Sequence, residues 1–258
     1  MGAMNPHNHN PSNNHRYLLG NDHFQFECHA GVACYTRCCH DADMYLYPHD
    51  IIRLKNRLNL TSEEFLARHT LTALRDHPYF PNVMLKMSDA KGHPCTFLSQ
   101  HGCSVYSDRP YACRAYPLEP AVFGDEQGQV HTQYYVARHN HCLGHGEQRQ
   151  WTAQEWMTDQ QMTDDNKINA HWAKIAAQFH TNPFGPQGID SPAMKMTFMA
   201  SYNIDTFRRF VFESSFKTKF DVDQQRLDRV RTDDTQLLYL GMEWIQRFLF
   251  NEGPLQPK

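Results

Sequence analysis

Cys38 and Cys39 stand side by side, and six more cysteines, Cys28, Cys34, Cys95, Cys103, Cys113 and Cys142, surround them in the first part of the chain. The first four are spaced C-x5-C-x3-C-C and the next three C-x7-C-x9-C. Thiolates are soft ligands for zinc, copper(I) and iron–sulfur clusters, and such a site needs several of them converging from separate loops. Adjacent side chains leave the backbone in different directions. The vicinal pair therefore serves two metals, or pairs one ligand with one packing residue. Eight thiolates suit two tetrahedral sites, although a count alone does not establish two. The spacing lacks any C-x2-C, the pair that marks zinc knuckles. It also lacks the C-x3-C-x2-C run of radical enzymes that use S-adenosylmethionine, because the residue after Cys38 is already Cys39.

Two plainer explanations compete. Cysteine is among the most buried residue types, so several could be small core hydrophobes. Disulfides are the other. The stretch Met1 to His15 is rich in Asn, His and Pro and has no apolar core, so it does not read as a secretory signal. The expectation is a cytoplasmic protein with reduced thiols, which favours metal ligands over disulfides. The chain has 25 basic and 28 acidic residues, a net charge of −3, and no basic stripe, so no nucleic-acid partner is expected. No apolar run approaches the ~20 residues that span a bilayer, so no membrane role is expected either.

The pattern along the chain predicts an α+β fold in three parts. Residues 1–23 read as a disordered lead-in, 24–146 as an irregular cysteine-cluster region with short strands and helices, and 147–258 as a mostly helical region packed on it. Within the cysteine region, Met44–Tyr47 reads as a strand. Pro48 opens a helix carrying Ile51, Ile52, Leu54 and Leu58, and Thr61 with Glu64 forms a capping box for a second helix. Val83–Met87 and Val130–Val136 read as strands, and 95–98 with 103–106 as a hairpin with Gly102 at its turn. Arg109–Arg114 reads as one helical turn. Thr152 and Glu155 form a second capping box. Ile168, Trp172, Ile175 and Phe179 share a helical face, and further helices are expected over 193–201, 205–213 and 235–250.

With these elements in view, the chain resembles a known family. The stretch from Phe26-Glu27-Cys28 through Cys34 to Cys38-Cys39-His40 is similar to the YkgJ family of cysteine-cluster proteins. So are Cys95-Thr96-Phe97-Leu98, Gly102-Cys103-Ser104-Val105-Tyr106, and the run from Asp108-Arg109-Pro110 through Cys113-Arg114 to Pro117. Members are described as zinc- or iron-chelating domains, and the resemblance covers about residues 24–145. Many members open C-x2-C-x2-C-C, and the wider C-x5-C-x3-C-C opening here is similar to flagellin lysine-N-methylases, which are associated with an iron–sulfur cluster.

The resemblance implies metal ligation by Cys28, Cys34, Cys38, Cys39, Cys95, Cys103, Cys113 and Cys142. The cofactor expected is an iron–sulfur cluster of the 4Fe-4S type, with zinc or iron as alternatives. Three functions follow: a redox or accessory metal protein, an enzyme modifying a protein or peptide side chain, or a structural zinc module that presents the helical half to a protein. Whether the chain is an enzyme stays open. Arg109 and Arg114 flank Cys113 and are candidate cofactor-binding residues, offsetting thiolate charge or holding a substrate carboxylate; ordinary ion pairs explain them equally well. His29, His40, His101, His139, His141 and His145 lie near cysteines, and imidazole can replace a thiolate. Tyr45, Tyr47, Phe97, Tyr106, Tyr111 and Tyr116 read as an apolar wall. No phosphate loop, dinucleotide fingerprint or hydrolase motif is present.

Overall fold

A computed structural model describes residues 14–75, 78–124 and 130–258. The fold is α+β, with small sheets of short strands and a helical C-terminal half. Two compact units form. The first comprises the described part of Met1–Asp43 together with Met87–Tyr106 and Tyr111–Asn166; the second comprises Met44–Lys86, Ser107–Pro110 and Lys167–Lys258.

In the first unit, Val130–His139 is the middle strand of an antiparallel sheet, flanked by Asn14–Leu18 and Leu118–Gly124. Phe24–Gln25 pairs with Gln150–Trp151, and Leu98–Ser99 with Gly102–Cys103. Such short ladders bury little, so aromatic side chains supply the core. The ring of Phe26 meets Tyr116 and Trp156 edge-on, at 5.5 Å in each case, and Trp151 meets Trp156 at 5.2 Å. Both indole N–H groups are satisfied inside this core, Trp151 by the Phe26 carbonyl at 2.9 Å and Trp156 by the Ala115 carbonyl at 3.0 Å. The Thr152–Glu155 capping box forms as expected and starts the helix Ala153–Asp159.

The second unit is built on helices. Pro48–Leu58 and Ser62–His69 pack with Pro192–Ser201, Ile204–Glu213, Gln224–Thr232 and Asp234–Phe250 around Ile51, Leu54, Phe65, Phe207, Leu237, Leu238 and Ile245, all buried. The predicted face Ile168, Trp172, Ile175 and Phe179 is buried too, the first three on the helix Thr163–Gln178. Lys55 is buried between Asp205 at 3.3 Å and Asp234 at 2.9 Å, and Arg208 pairs with the same two carboxylates. Both carboxyls sit below the usual Asp range: hydrogen bonds and the Lys55 charge outweigh the burial that opposes them.

The structure departs from the sequence reading in several places. Part of the expected lead-in is ordered: Asn14–Leu18 is a strand and Leu19 is buried. The helices Pro48–Leu58 and Ser62–His69 group with the C-terminal helices and not with the cysteines, and Tyr45 and Tyr47 go with them. Their apolar stripe shows that they must be buried, not against what. Met44–Tyr47 itself forms only an isolated bridge, Tyr45 to Met84. Finally, Leu118–Gly124 and Gln224–Thr232 were not expected. Pro117 and Pro120 disguise the first as irregular chain, and the second buries only Leu227 and Val230 on an otherwise polar helix.

Candidate metal centre

All eight cysteines fall in the first unit, and none is in a disulfide. They are set by several short elements. Cys28 follows the strand Phe24–Gln25, and Cys38 and Cys39 lie on the 3-10 turn Arg37–Cys39. That turn is entered through Thr36 at φ 65°, a strained conformation for a β-branched residue. The Cys95 N–H donates to the Cys39 carbonyl at 2.7 Å, and bridges join His40 to Pro94 and Met87 to Cys95, tying the two segments together. Cys103 sits on the predicted hairpin, where Gly102 has φ 98° and a Cβ would fall 2.6 Å from the Tyr35 hydroxyl. Cys113 is the middle residue of the helix Tyr111–Ala115. Cys142 follows the strand Val130–His139, and the next residues bring backbone to the site. The Leu143 N–H donates to Cys34 Sγ at 3.1 Å, and Gly144 lies so close to the first loop that a Cβ there would stand 2.5 Å from the Glu27 carbonyl.

The thiols form one electrostatic group. The Cys39 thiol is pushed up by its hydrogen bond with Cys38, by burial, and by the charges of Cys38, Cys113 and Cys95. Burial pushes Cys95 up, the N–H groups of Phe97 and Leu98 pull it down, and Cys103 and Cys38 add to the rise. Burial also raises Cys142; Tyr116 and the Gly144 N–H oppose it, while Cys34 and Cys38 reinforce it. Cys28 joins through Tyr35, whose hydroxyl is raised by burial and then by Cys28, Tyr106, Cys39 and Cys103. Thiols that resist one another's ionisation are poor free thiolates. A cation among them reverses that interaction, because each ligand must then be deprotonated. Among the described residues, no three cysteine sulfurs lie within 4.8 Å of one another.

The flanking arginines have separate environments. Arg114 is 1% exposed, and its guanidinium makes a two-pronged contact with Asp165, at 2.8 and 3.0 Å, and a further bond to the Gln161 carbonyl at 3.3 Å. Of the readings the sequence left open, the ion pair is the one this geometry matches: the guanidinium is engaged by a buried carboxylate. Arg109 lies on Ser107–Pro110, which belongs to the second unit. Among the histidines, His40 Nδ1 is 3.2 Å from the Thr36 carbonyl, and the His101 N–H caps the hairpin on Ser99 Oγ. His139 stacks on Tyr116 and on His141, and His145 Nε2 lies 3.3 Å from the Tyr116 hydroxyl.

Glu27, His29 and Glu147 also bring three donor atoms within 4.8 Å of one another, near the surface. His29 Nδ1 accepts the Gly31 N–H at 3.1 Å, which leaves the ring proton on Nε2, facing Glu147 at 3.7 Å. Arg149 stands 3.9 Å from Glu27. As it stands the trio is two carboxylates around a histidine, with Arg149 beside one of them. Two contributors to the sulfur site had no signature in the sequence: Tyr35 and the backbone N–H groups of Leu143 and Gly144.

A reduced thiol cluster of this kind defines a metal-binding domain. Residues 27–143 match the family model CxxCxxCC, described as a "putative zinc- or iron-chelating domain". No curated protein and no solved structure matches the chain significantly.

Proposed function

We propose that the cysteine unit holds an iron–sulfur centre of the 4Fe-4S type and serves a redox or accessory role. The observation that carries the reading is the gathering of eight reduced cysteines in one unit, with Cys34, Cys38, Cys39, Cys95, Cys103, Cys113 and Cys142 acting on one another's charge. Their spacing supports iron–sulfur over a lone zinc. Four thiolates on one tetrahedral zinc, each about 2.3 Å from it, stand about 3.8 Å apart. Among the described residues no three of the sulfurs come within 4.8 Å of one another, although Cys38 and Cys39 are hydrogen-bonded. A cluster accommodates wider spacing, because each cysteine binds a different iron. Cys38, Cys95 and Cys113 gather around Cys39, Cys34 and Cys142 come together through the Leu143 loop, and Cys28 and Cys103 share Tyr35. Backbone N–H groups aimed at Cys34, Cys95 and Cys142 supply the hydrogen bonds that thiolates on such a centre require. Bound there, the centre would supply one-electron chemistry.

The C-x5-C-x3-C-C opening supports a second reading, in which the same centre serves an enzyme that modifies a protein or peptide side chain. The missing S-adenosylmethionine motif argues against it. Anaerobic purification with iron, zinc and acid-labile sulfide analysis and paramagnetic resonance tests the main reading. Brown protein carrying iron and sulfide is expected. Colourless protein with stoichiometric zinc would overturn it in favour of a structural zinc module.

A further inference from the structure

We propose that the outer edge of the strand Thr70–Ala73 is a self-association surface, pairing antiparallel with the same strand of a second copy of this chain. The strand belongs to the helical unit and pairs on one side with Asn82–Leu85, with Leu71 opposite Met84 and Thr72 opposite Val83. Three hydrogen bonds fix which way its backbone points. The Lys86 N–H donates to the His69 carbonyl at 2.8 Å, so Leu71 and Ala73 turn their N–H and C=O groups toward Asn82–Leu85. The Leu46 N–H donates to the Val83 carbonyl at 2.9 Å and the Leu85 N–H to the Met44 carbonyl at 2.8 Å, so Val83 and Leu85 face the opposite side. Thr70 and Thr72 stand opposite those two residues and therefore direct their N–H and C=O groups outward. Among the described residues, no backbone group meets them there.

Natural proteins guard an open edge with Lys, Pro or a bulge. The run Thr70-Leu71-Thr72-Ala73-Leu74 has none of these, and its nearest charges, Arg68 and Arg75, lie outside it. Leu71 and Leu74 are 44% and 46% exposed. Beside the edge, Thr70, Leu71 and Thr72 wall a groove of about 480 Å³ together with Leu66, Ala67 and Phe198. Consecutive strand residues line it, so it follows the edge and not one face of the strand. A second copy matches edge and groove together. A two-fold axis at Thr72 makes the two Thr72 residues a reciprocal hydrogen-bonded pair and sets Leu74 of one copy opposite Thr70 of the other, at the groove. The outward groups of Thr70, Thr72 and Leu74 then all find partners, no charge enters the paired run, and exposed leucines from both copies leave water. An uncharged edge gives an acidic or basic foreign segment nothing to select it by, whereas its own strand is equally uncharged and apolar.

The test is sedimentation equilibrium of the full chain, kept without oxygen so that no disulfide joins two copies. The expected result is a mass that climbs from 30.2 kDa toward twice that value between about 1 and about 500 µM, as mass action requires of a small interface. Thr72→Lys sets two like charges opposite each other and should weaken association about fivefold or more. Thr72→Glu should do the same. An equimolar mixture of the two variants should associate again, because opposite charges then face each other. Thr72 is exposed, so both variants should keep the fold, which circular dichroism checks. Thr72→Pro removes the outward N–H without touching a bond to Asn82–Leu85, and should abolish association. A wild-type chain that stays monomeric throughout would overturn the proposal. It would do so even if the chain binds a synthetic peptide copying residues 69–75, since the edge would then be a docking site for a foreign strand. Association left unchanged by all three Thr72 variants would place the contact elsewhere and overturn the proposal as well.

Discussion

Arg114→Ala is expected to cost about 3–5 kcal/mol of folding stability, the range measured when one partner of a buried ion pair is removed. The reason is Asp165, whose side chain is 3% exposed and would be left as a buried charge with its two-pronged partner gone. The same substitution releases the Gln161 carbonyl, so the chain entering the helix Thr163–Gln178 loses its tie to the helix that carries Cys113. Against a typical total of about 5–15 kcal/mol, such a loss is a large fraction of what keeps a domain folded. Urea unfolding of metal-loaded protein measures it. The double change Arg114→Met with Asp165→Leu should recover much of the loss, because it removes both charges and keeps apolar volume. A single variant that unfolds at the wild-type midpoint would show that the pair contributes nothing.

The second large effect is expected on metal removal. Beside its three-stranded sheet and the helix Ala153–Asp159, the cysteine unit holds two-residue strand pairs and a five-residue helix, and the segments that carry most of the cysteines are too short to be stable unaided. Ligand bonds made only in the folded state add their binding free energy to folding, on the order of several kcal/mol or more. The helical unit has its own core, with Phe65, Phe207, Leu238 and Ile245 fully buried. Chelation should therefore erase amide protection over Val130–His139 and Ala153–Asp159 and spare Pro48–Leu58, Ser62–His69 and Asp234–Phe250. Hydrogen exchange on stripped and loaded protein reads both units at once. Equal loss in both would make the chain one cooperative domain, and no loss anywhere would make the metal a removable passenger.

Much of the local structure was legible because local chemistry dictates it. Thr61 with Glu64 and Thr152 with Glu155 cap their helices reciprocally, as the S/T-x-x-E pattern requires. Gly102 turns the hairpin that carries Cys103, and the helix expected over 235–250 runs from Asp234 to Phe250. What stayed hidden is non-local. Arg114 and Asp165 are 51 positions apart, and nothing in either segment announces the other. The helices Pro48–Leu58 and Ser62–His69 interrupt the cysteine run in sequence yet belong to the other unit, since an amphipathic stripe does not name its partner. The donor on the Cys34 sulfur was illegible for a different reason: a backbone N–H such as that of Leu143 has no residue signature.

The most direct test of the central claim is X-ray absorption at the metal edge of protein purified without oxygen. An iron–sulfur centre on these cysteines predicts an iron edge, a first shell made of sulfur alone, and an iron–iron scattering path beyond it. A zinc edge with four sulfurs and no metal–metal path, or an iron shell dominated by nitrogen and oxygen, would contradict it.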